Sequence, residues 1–173
     1  SFELDDYLHF YKYRNDENIY INIMGNKYFV SLERERIWVE DKALNDRKDI
    51  YLAICLRDGD KCIGYTSINN IDYRNRNASW GSIFIDDSER KKGLSIDVGK
   101  LLLKLVFEEM PIHRFYSYIL DGHTASLRMV EKLGFKTEGM MKECVYKLNK
   151  FHDAVCVYML EDDYQKLYHD EIV

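Results

Sequence analysis

Two helical patterns of apolar and polar residues open the chain. Residues 5–15 carry apolar side chains at mixed helical spacing, which predicts a helix that ends near the polar run at 14–18. Ser31 is a favourable N-cap for a second helix, and Glu33 stands in its first turn. We expect the inner stripe of this second helix to consist of Leu32, Ile37, Trp38, Ala43 and Leu44. Most of its charged side chains would then face water.

The pattern then changes to extended segments. Residues 50–56 form an apolar run that ends at the turn signal Arg57-Asp58-Gly59-Asp60, so a hairpin is predicted with its return strand at 62–71. After a polar turn at 73–77, residues 78–85 predict another strand. Two or three consecutive antiparallel strands are expected.

The second half mixes helices and strands. A polar loop after Asp86 leads to an amphipathic helix that begins at Leu94 and is ended by Pro111. Gly134 stands in a C-cap position. Four further segments are a short strand at 115–120, a helix at 125–133, and a closing hairpin of 135–146 with 151–160. The acidic tail from Glu161 is expected to be helical or frayed.

The resulting order is α-α-β-β-β-α-β-α-β-β. The strand–helix–strand portion argues for parallel pairing there, with antiparallel strands on either side. The expected class is therefore α/β (α+β), with a mixed, mostly antiparallel central sheet and helices on both faces. At 173 residues, one domain spanning 1–173 is expected.

Composition and charge exclude several classes of protein. With 46% hydrophobic and 32% charged residues, the chain is not of the disordered kind. A net charge of -5 argues against a protein that mainly grips a nucleic acid backbone. Because no apolar window approaches the ~18 residues of a membrane span, and the N-terminus lacks a signal-peptide pattern, we expect no membrane partner.

The four cysteines are Cys55, Cys62, Cys144 and Cys156. They form no CxxC pair, and three of them lie in apolar, strand-like runs. We interpret them as buried free thiols, with neither disulfides nor a metal site. A reducing compartment, the cytoplasm, is therefore expected.

The most informative segment is a strand that runs into a basic loop, a glycine and a helix. Arg90, Lys91 and Lys92 precede Gly93, and Ser95 is small. The free N–H groups at a helix start, with this added positive charge, form an anion site that suits a diphosphate. The alternative is a solvated basic helix start. Walker and GxGxxG patterns are absent.

This segment, Arg90-Lys91-Lys92-Gly93-Leu94-Ser95, resembles the Q/R-x-x-G-x-G/A pyrophosphate loop of the GNAT superfamily of acetyl-CoA-dependent N-acetyltransferases, with Ser95 where Gly or Ala is usual. Residues 126–135 resemble the S-x-x-x-x-E-K-x-G-F segment of the same family, and residues 138–153 its closing strands. The RimJ/RimL-like branch is the most similar. The family's usual first strand is barely present, because only residues 1–4 precede the first predicted helix.

The resemblance implies how acetyl-CoA, the acetyl donor, would bind. It implies a V-shaped opening between the strand ending at Ile85 and the strand at 115–120. Backbone groups of Ile83, Phe84 and Ile85 would pair with the pantetheine arm. Backbone N–H groups from Lys91 to Ser95, Leu94 included, would hold the pyrophosphate.

The resemblance also bears on proton transfer. Many family members place a Tyr acid at the position that Val130 holds here. In the RimJ/RimL-like branch a Ser can lie beside the thioester sulfur, and Ser126 matches it; alternatively its hydroxyl bonds its own helix backbone. His123 stands where Asn is common, and either contacts the CoA arm or is an ordinary helix-start residue.

The sequence does not decide which group acts as the general base. Many relatives carry a strand Glu where this chain has Ser79. Glu143 is the first candidate, because alternation would place it on one face with Met141 and Val145; a salt bridge is the alternative. Asp72 is a second candidate, with turn capping as the favoured interpretation. His152-Asp153 is either functional or a structural turn pair. If a chain of water molecules removes the proton, no single residue acts as the base.

The N-terminal helices cover the acceptor site in this family. Aromatic residues crowd this region and would either line an acceptor pocket or pack in the core: Tyr7, Phe10, Tyr11, Tyr13, Tyr20, Tyr28 and Phe29. Acidic residues there would either attract a cationic amine or form a solvated face: Asp16, Glu17, Glu33 and Glu35.

Taken with the resemblance, these residues predict an enzyme that moves an acetyl group from acetyl-CoA to a primary amine of a small molecule, such as an amino sugar or polyamine, by direct transfer in a ternary complex. The alternatives are a ribosomal-protein-type N-terminal acetyltransferase and a non-catalytic CoA-binding module. The chain would be a monomer or a homodimer.

Overall fold

The computed structural model describes residues 1–25, 29–45 and 48–168. Within these described ranges, three α-helices precede the first strand: α1 (Tyr7–Arg14), α2 (Glu17–Asn22) and α3 (Leu32–Leu44). Three strands follow: β1 (Ile50–Cys55), β2 (Cys62–Asp72) and β3 (Asn77–Ile85). The later α-helices and strands are α4 (Leu94–Lys104), which a π-helical segment (Leu105–Glu109) continues, β4 (Arg114–Leu120), α5 (Thr124–Lys132), β5 (Lys136–Lys147), β6 (Lys150–Leu160) and α6 (Glu161–Tyr168).

The six strands form a mixed sheet in the order β1-β2-β3-β4-β6-β5. β1 pairs with β2, β4 with β6 and β5 with β6 in the antiparallel sense, whereas β3 pairs with β4 in parallel. The mixed, mostly antiparallel sheet expected from the sequence is therefore confirmed. The parallel pair is the one whose strands are joined through a helix, as a crossover connection requires.

The chain divides into two compact units. The first unit is Ser1–Asn70 with Gly81–Leu94, and the second unit is Ile71–Trp80 with Ser95–Val173. The core of the first unit consists of the buried side chains of Phe2, Phe10, Tyr13, Ile19, Val39 and Tyr65. In the second unit, the fully buried side chains include those of Leu103, Val106, Ile112, Phe115 and Met159.

Local signals predicted several boundaries well. Gly134 has φ +90°, and its N–H donates to the carbonyl oxygen of Glu131, so the predicted C-cap is confirmed. Gly59 and Asp60 both have positive φ in the predicted hairpin turn. The tail from Glu161 is helical up to Tyr168.

One prediction about the helices is confirmed and another was wrong. The first predicted helix ends at Arg14, as expected from the polar run, but that run also starts a short helix that was not predicted, because Asp16 caps α2 by accepting hydrogen bonds from the N–H groups of Asn18 and Ile19. In α3, Trp38 and Ala43 do pack on the core, but Leu32, Ile37 and Leu44 are exposed. Glu35 and Val39, one turn apart, hold the inner face instead.

The cysteines are free, but their expected burial was wrong for three of the four. Cys156 is buried, Cys62 is half-buried, and Cys55 and Cys144 are exposed. Cys55 lies at the end of β1, which is an edge strand, and Cys144 lies in an irregular part of β5. Among the described residues, no helix is long and apolar enough to cross a membrane.

Candidate active site

A loop of the first unit joins the end of β3 to the start of α4. A short 3-10 turn, Asp87–Glu89, follows Asp86, and α4 begins at Leu94. Lys91 has φ +64° and Gly93 has φ +83°. A side chain at Gly93 would meet nothing within 4 Å, so the backbone there is open to a ligand. Because the first N–H groups of an α-helix have no intrahelical acceptor, the loop ends in a set of backbone donors.

The basic residues of this loop are partly engaged within the loop itself. The Arg90 Nε–H donates to the carbonyl oxygen of Ile85 at 3.1 Å, and its guanidinium lies 2.8 Å from Asp87. Lys92 Nζ lies 2.7 Å from Glu89 Oε2. Arg90 therefore fixes the loop to the end of β3, while exposed Lys91 and the backbone donors remain available to an anion.

A cavity of about 260 Å³ lies in the first unit. Its aromatic lining is Tyr13, Tyr20, Trp38, Tyr65 and Phe84. Ile19, Ile23 and Val30 add apolar surface. Both sequence interpretations of the N-terminal aromatics therefore hold in part, because Tyr13 belongs to the core and also lines the cavity. Phe29 is exposed, and Tyr28 lies outside the described residues.

A buried ion pair forms part of the cavity wall. Arg14 Nε lies 3.1 Å and 2.9 Å from the two carboxylate oxygens of Glu35, whose side chain is 1% exposed. The Arg14 guanidinium also stacks on the Trp38 ring, 4.0 Å from its centroid. Burial raises the pKa of Glu35, and Arg14 opposes that rise. The solvated-face interpretation of Glu35 was therefore wrong.

Two more charged residues line the cavity, Asp16 and Arg34. Asp16 Oδ1 accepts the N–H groups of Asn18 at 2.7 Å and Ile19 at 3.3 Å. Arg34 is exposed, and its backbone N–H donates to the Ser31 hydroxyl at 3.2 Å. The cavity thus combines an aromatic interior with charges of both signs.

A polar cluster around Asp86 was missed by sequence reasoning. The Asp86 carboxylate, which is buried at the start of the loop, accepts hydrogen bonds from Tyr13 Oη at 2.5 Å and Lys12 Nζ at 2.6 Å. His9 Nε2 lies 3.2 Å from the same oxygen. Burial works to raise the pKa of Asp86, but the hydrogen bonds from Lys12 and Tyr13 hold it below its usual value.

The environment of Asp86 also shifts the pKa values of two of its partners, Tyr13 and His9. Burial, together with the hydrogen bond to Asp86, raises the pKa of the Tyr13 hydroxyl. Burial lowers the pKa of His9, against the attraction of Asp86. Tyr13 is therefore poorly suited to give up its proton, and the cluster holds α1 against the loop. In the sequence, the one feature that could have indicated this cluster is an acidic residue directly after an apolar strand.

Ser126 and His123 lie together at the start of α5, in the second unit. The Ser126 hydroxyl is 3.5 Å from His123 Nε2, and both side chains are half-buried. His123 is the N-cap residue of α5, although its side chain makes no capping hydrogen bond. The two residues that the sequence singled out separately are thus neighbours that can share a proton.

The premise for Glu143 as a base was wrong. Residues between Met141 and Val145 form an irregularity in the pairing of β5 with β6, and Glu143 has φ +49°. Strict alternation therefore fails, and Glu143 is exposed instead of sharing a face with Val145, which is buried.

The other base candidates have structural partners. Asp72 accepts hydrogen bonds from the backbone and side chain of Asn75 at 3.0 Å and 2.7 Å, which confirms turn capping. Asp153 accepts from Lys142 Nζ and from the Glu143 N–H, each at 2.8 Å, and so closes the bulged hairpin.

The parallel pairing of β3 with β4 is short. It joins Asn77, Ala78 and Ser79 to Arg114, Phe115 and Tyr116, although β3 continues to Ile85 and β4 to Leu120. The Trp80 carbonyl oxygen instead accepts a hydrogen bond from the Ser117 hydroxyl at 3.0 Å. Within the described parts of the chain, no group of three or more His, Cys, Asp or Glu side chains could hold a metal ion.

Comparisons with known proteins agree with this geometry. A family model described as an acetyltransferase (GNAT) domain matches residues 1–136. YnaD, an uncharacterized N-acetyltransferase of Bacillus subtilis strain 168, is 24% identical over 164 residues, which are 95% of this chain and 93% of that protein.

Solved structures show the same fold. Spermidine N-acetyltransferase from Vibrio cholerae, crystallised with CoA and spermine, superposes with a TM-score of 0.85 at 20% identity, over 95% of each chain. A GNAT-family acetyltransferase from Bacillus anthracis gives a TM-score of 0.80 at 22% identity, over 93% of this chain and 92% of that one. The fold expected from the sequence is confirmed.

Proposed function

The chain belongs to the GNAT acetyltransferase family, and from that premise we propose that it transfers the acetyl group of acetyl-CoA to a primary amine of a small molecule held in the cavity of the first unit. One observation carries the placement of the acceptor. Phe84 lies in the part of β3 that would run beside the pantetheine arm, and the same side chain lines the cavity. An amine in the cavity would therefore lie beside the strand that carries the thioester.

The loop between β3 and α4 would bind the donor. Lys91 and Gly93 have positive φ, which is typical of turns whose successive N–H groups converge on an anion such as phosphate. The start of α4 at Leu94 and Ser95 adds the positive end of the helix. Upstream, the backbone of Ile83, Phe84 and Ile85 would pair with the pantetheine amides as an added strand would.

The reaction forms one bond and breaks one. The amine nitrogen attacks the thioester carbonyl carbon, the C–S bond breaks, and the products are an acetamide and CoA. In our proposal the Ser126 hydroxyl gives a proton to the departing sulfur. His123, whose Nε2 lies 3.5 Å from that hydroxyl, would supply a replacement proton to Ser126. The amine must lose a proton, and a water chain would accept it and pass it to solvent.

The size of the cavity favours a small acceptor. Pockets for drug-sized ligands run from about 300 to 1,000 Å³, and this one has about 260 Å³. We therefore propose a small-molecule acceptor, and on the motif resemblance we propose that the chain belongs to the RimJ/RimL-like branch. A protein N-terminus is the second candidate within that branch, and a CoA-binding module without turnover is the third.

The test has two stages. Acetyl-CoA at 100 times its dissociation constant should stabilise the protein by about 2.7 kcal/mol, seen as a saturable thermal shift. A panel of small amines and peptides is then screened for release of free thiol from acetyl-CoA. We expect thiol release with small amines and none with peptides. Peptide turnover alone would support the second candidate, and a thermal shift without any turnover would support the third.

A variant of the cavity wall tests where the acceptor binds. Trp38→Leu should raise the KM for the amine and leave the affinity for acetyl-CoA unchanged. Ile37→Ala is the matched control, because Ile37 is the preceding residue of α3 but is exposed and does not line the cavity. An unchanged amine KM in Trp38→Leu would exclude this cavity as the acceptor site.

A further inference from the structure

Building on the function proposed above, we propose that the acceptor carries an anionic group, a carboxylate or a phosphate, besides its amine, and that Arg34 binds this group. Four charged side chains line the cavity: Arg14, Asp16, Arg34 and Glu35. Their formal charges sum to zero, so the overall sign does not identify a ligand. What matters is which charges already have partners.

Arg14 and Glu35 neutralise each other. Their ion pair has both carboxylate oxygens within 3.1 Å of Arg14 Nε, and the guanidinium face is covered by the Trp38 ring. A ligand that displaced Arg14 would leave Glu35 buried without a counter-charge, at a cost of several kcal/mol, about 3–5. The charge of Arg14 is therefore already compensated before an acceptor binds.

Asp16 is largely committed to the fold. Its Oδ1 caps α2 by accepting hydrogen bonds from the N–H groups of Asn18 at 2.7 Å and Ile19 at 3.3 Å. Only its second oxygen remains for a ligand. Among the carboxylates that line the cavity, this oxygen is therefore the one that can bind an ammonium group of a ligand, and it can bind a single such group.

Of the two arginines that line the cavity, Arg34 is the one whose side chain has no ion-pair partner in the described part of the chain. Two positions further along α3, the Arg36 guanidinium is paired with Glu33 at 2.8 Å and with Glu40 at 3.0 Å. Arg34 has no such ion pair to any described carboxylate, and unlike Arg36 it lines the cavity. The five N–H donors of a guanidinium fit a carboxylate or phosphate through two parallel hydrogen bonds.

This arrangement disfavours a polyamine. A molecule with two or three ammonium groups would bring several positive charges next to Arg34 and would find only one partly used carboxylate, Asp16. A compact amine with one anionic group matches both available charges. The Vibrio cholerae enzyme of similar fold was crystallised with spermine, so the two proteins would differ in acceptor class.

Binding can be measured without acetyl-CoA. Trp38 lines the cavity, so its fluorescence is a direct probe. The ligands are four amines: O-phosphoethanolamine, β-alanine, neutral-tailed ethanolamine and spermidine. We expect at least one of the two anionic amines to bind about tenfold or more tightly than ethanolamine or spermidine. Whichever of O-phosphoethanolamine and β-alanine binds more tightly shows whether the site prefers a phosphate or a carboxylate.

Two matched variants complete the test. Arg34→Gln should remove this preference, whereas Arg36→Gln, a change on the same helix outside the cavity, should retain it. Tighter binding of spermidine, an unchanged preference in Arg34→Gln, or no saturable signal with any of the four amines would overturn the inference. Because the assay needs no acetyl transfer, these outcomes leave the acetyl-CoA thermal shift and thiol release to decide the proposed function separately.

Discussion

The Tyr13 hydroxyl donates a hydrogen bond to the Asp86 carboxylate across 73 positions of sequence. It ties the first helix to the first residue after β3, where the loop proposed to bind CoA begins. Lys12, the residue before Tyr13 in α1, forms an ion pair with the same carboxylate. The N-terminal helix is thereby attached to the loop through one buried acidic residue.

Replacing this carboxylate should weaken both the fold and the loop. Asp86→Asn leaves Lys12 without its counter-charge and weakens the bond from Tyr13, so we expect a loss of about 1–3 kcal/mol in urea unfolding. The KM for acetyl-CoA should rise with little change in kcat. Asp87→Asn, one position later, removes only an exposed pair with Arg90 and should cost a few tenths of a kcal/mol, at most about 1. Equal losses in the two variants would contradict the anchoring role.

His9 should make stability depend on pH. Because burial lowers its pKa from 6.5, the folded protein resists protonation while the unfolded chain takes up a proton. The contribution of His9 is therefore present above pH 6.5 and is lost as the pH falls through the lower folded value. His9→Gln should flatten this part of the profile in urea unfolding between pH 7.5 and 5. Since the other acid-sensitive groups are common to both proteins, two parallel profiles would refute the prediction.

Breaking the buried ion pair should be costly. Arg14→Met leaves Glu35 buried and unpaired, so we expect a loss of about 3–5 kcal/mol at neutral pH. The loss should shrink as the pH falls, because the raised pKa of Glu35 lets its carboxyl take up a proton. Arg36→Met, which removes exposed pairs from the same region, should cost far less. A pH-independent loss in Arg14→Met would show that packing on Trp38, and not charge, dominates.

A substitution at Gly93 should lower the affinity for acetyl-CoA in addition to straining the backbone. Gly93→Val places a β-branched residue at φ +83°, with no clash, so the fold should survive a loss of roughly 1–2 kcal/mol. Acetyl-CoA affinity should fall by at least about tenfold, measured by titration calorimetry. Gly59→Val has nearly the same φ, +81°, and equally open surroundings, and so controls for backbone strain. Unaltered acetyl-CoA affinity in Gly93→Val would remove the pyrophosphate assignment.

Ser126 should affect turnover more than binding. Ser126→Ala should lower kcat by about 10²–10⁴-fold, with a small change in acetyl-CoA affinity, if its hydroxyl protonates the leaving sulfur. If His123 acts through Ser126, His123→Ala should add little in the double variant. A kcat equal to that of the parent protein would eliminate the acid role.

Most of the fold could be predicted because its signals are local. The turn residues Gly59 and Asp60, the helix start at Ser31 and the stop at Gly134 depend on a few neighbouring residues each. The acid–base assignments were harder, since the argument for Glu143 assumed regular alternation. A bulge in β5 changes which residues face the same side, and nothing in the local pattern announced it.

By itself the sequence determined most of the elements, the mixed sheet and the basic loop that ends in Gly93, because hydrophobic period, turn residues and helix caps act over a few positions. Only the tertiary structure decided which charges are neutralised. Glu35 looks like one more acidic residue on a charged helix until Arg14, 21 positions earlier, is brought against it. Asp86 is an ordinary loop residue until Tyr13 and Lys12 reach it. Burial makes an unpaired charge costly, so these pairings between residues far apart in the sequence, and not the composition, determine which charged side chains at the cavity remain without a counter-charge.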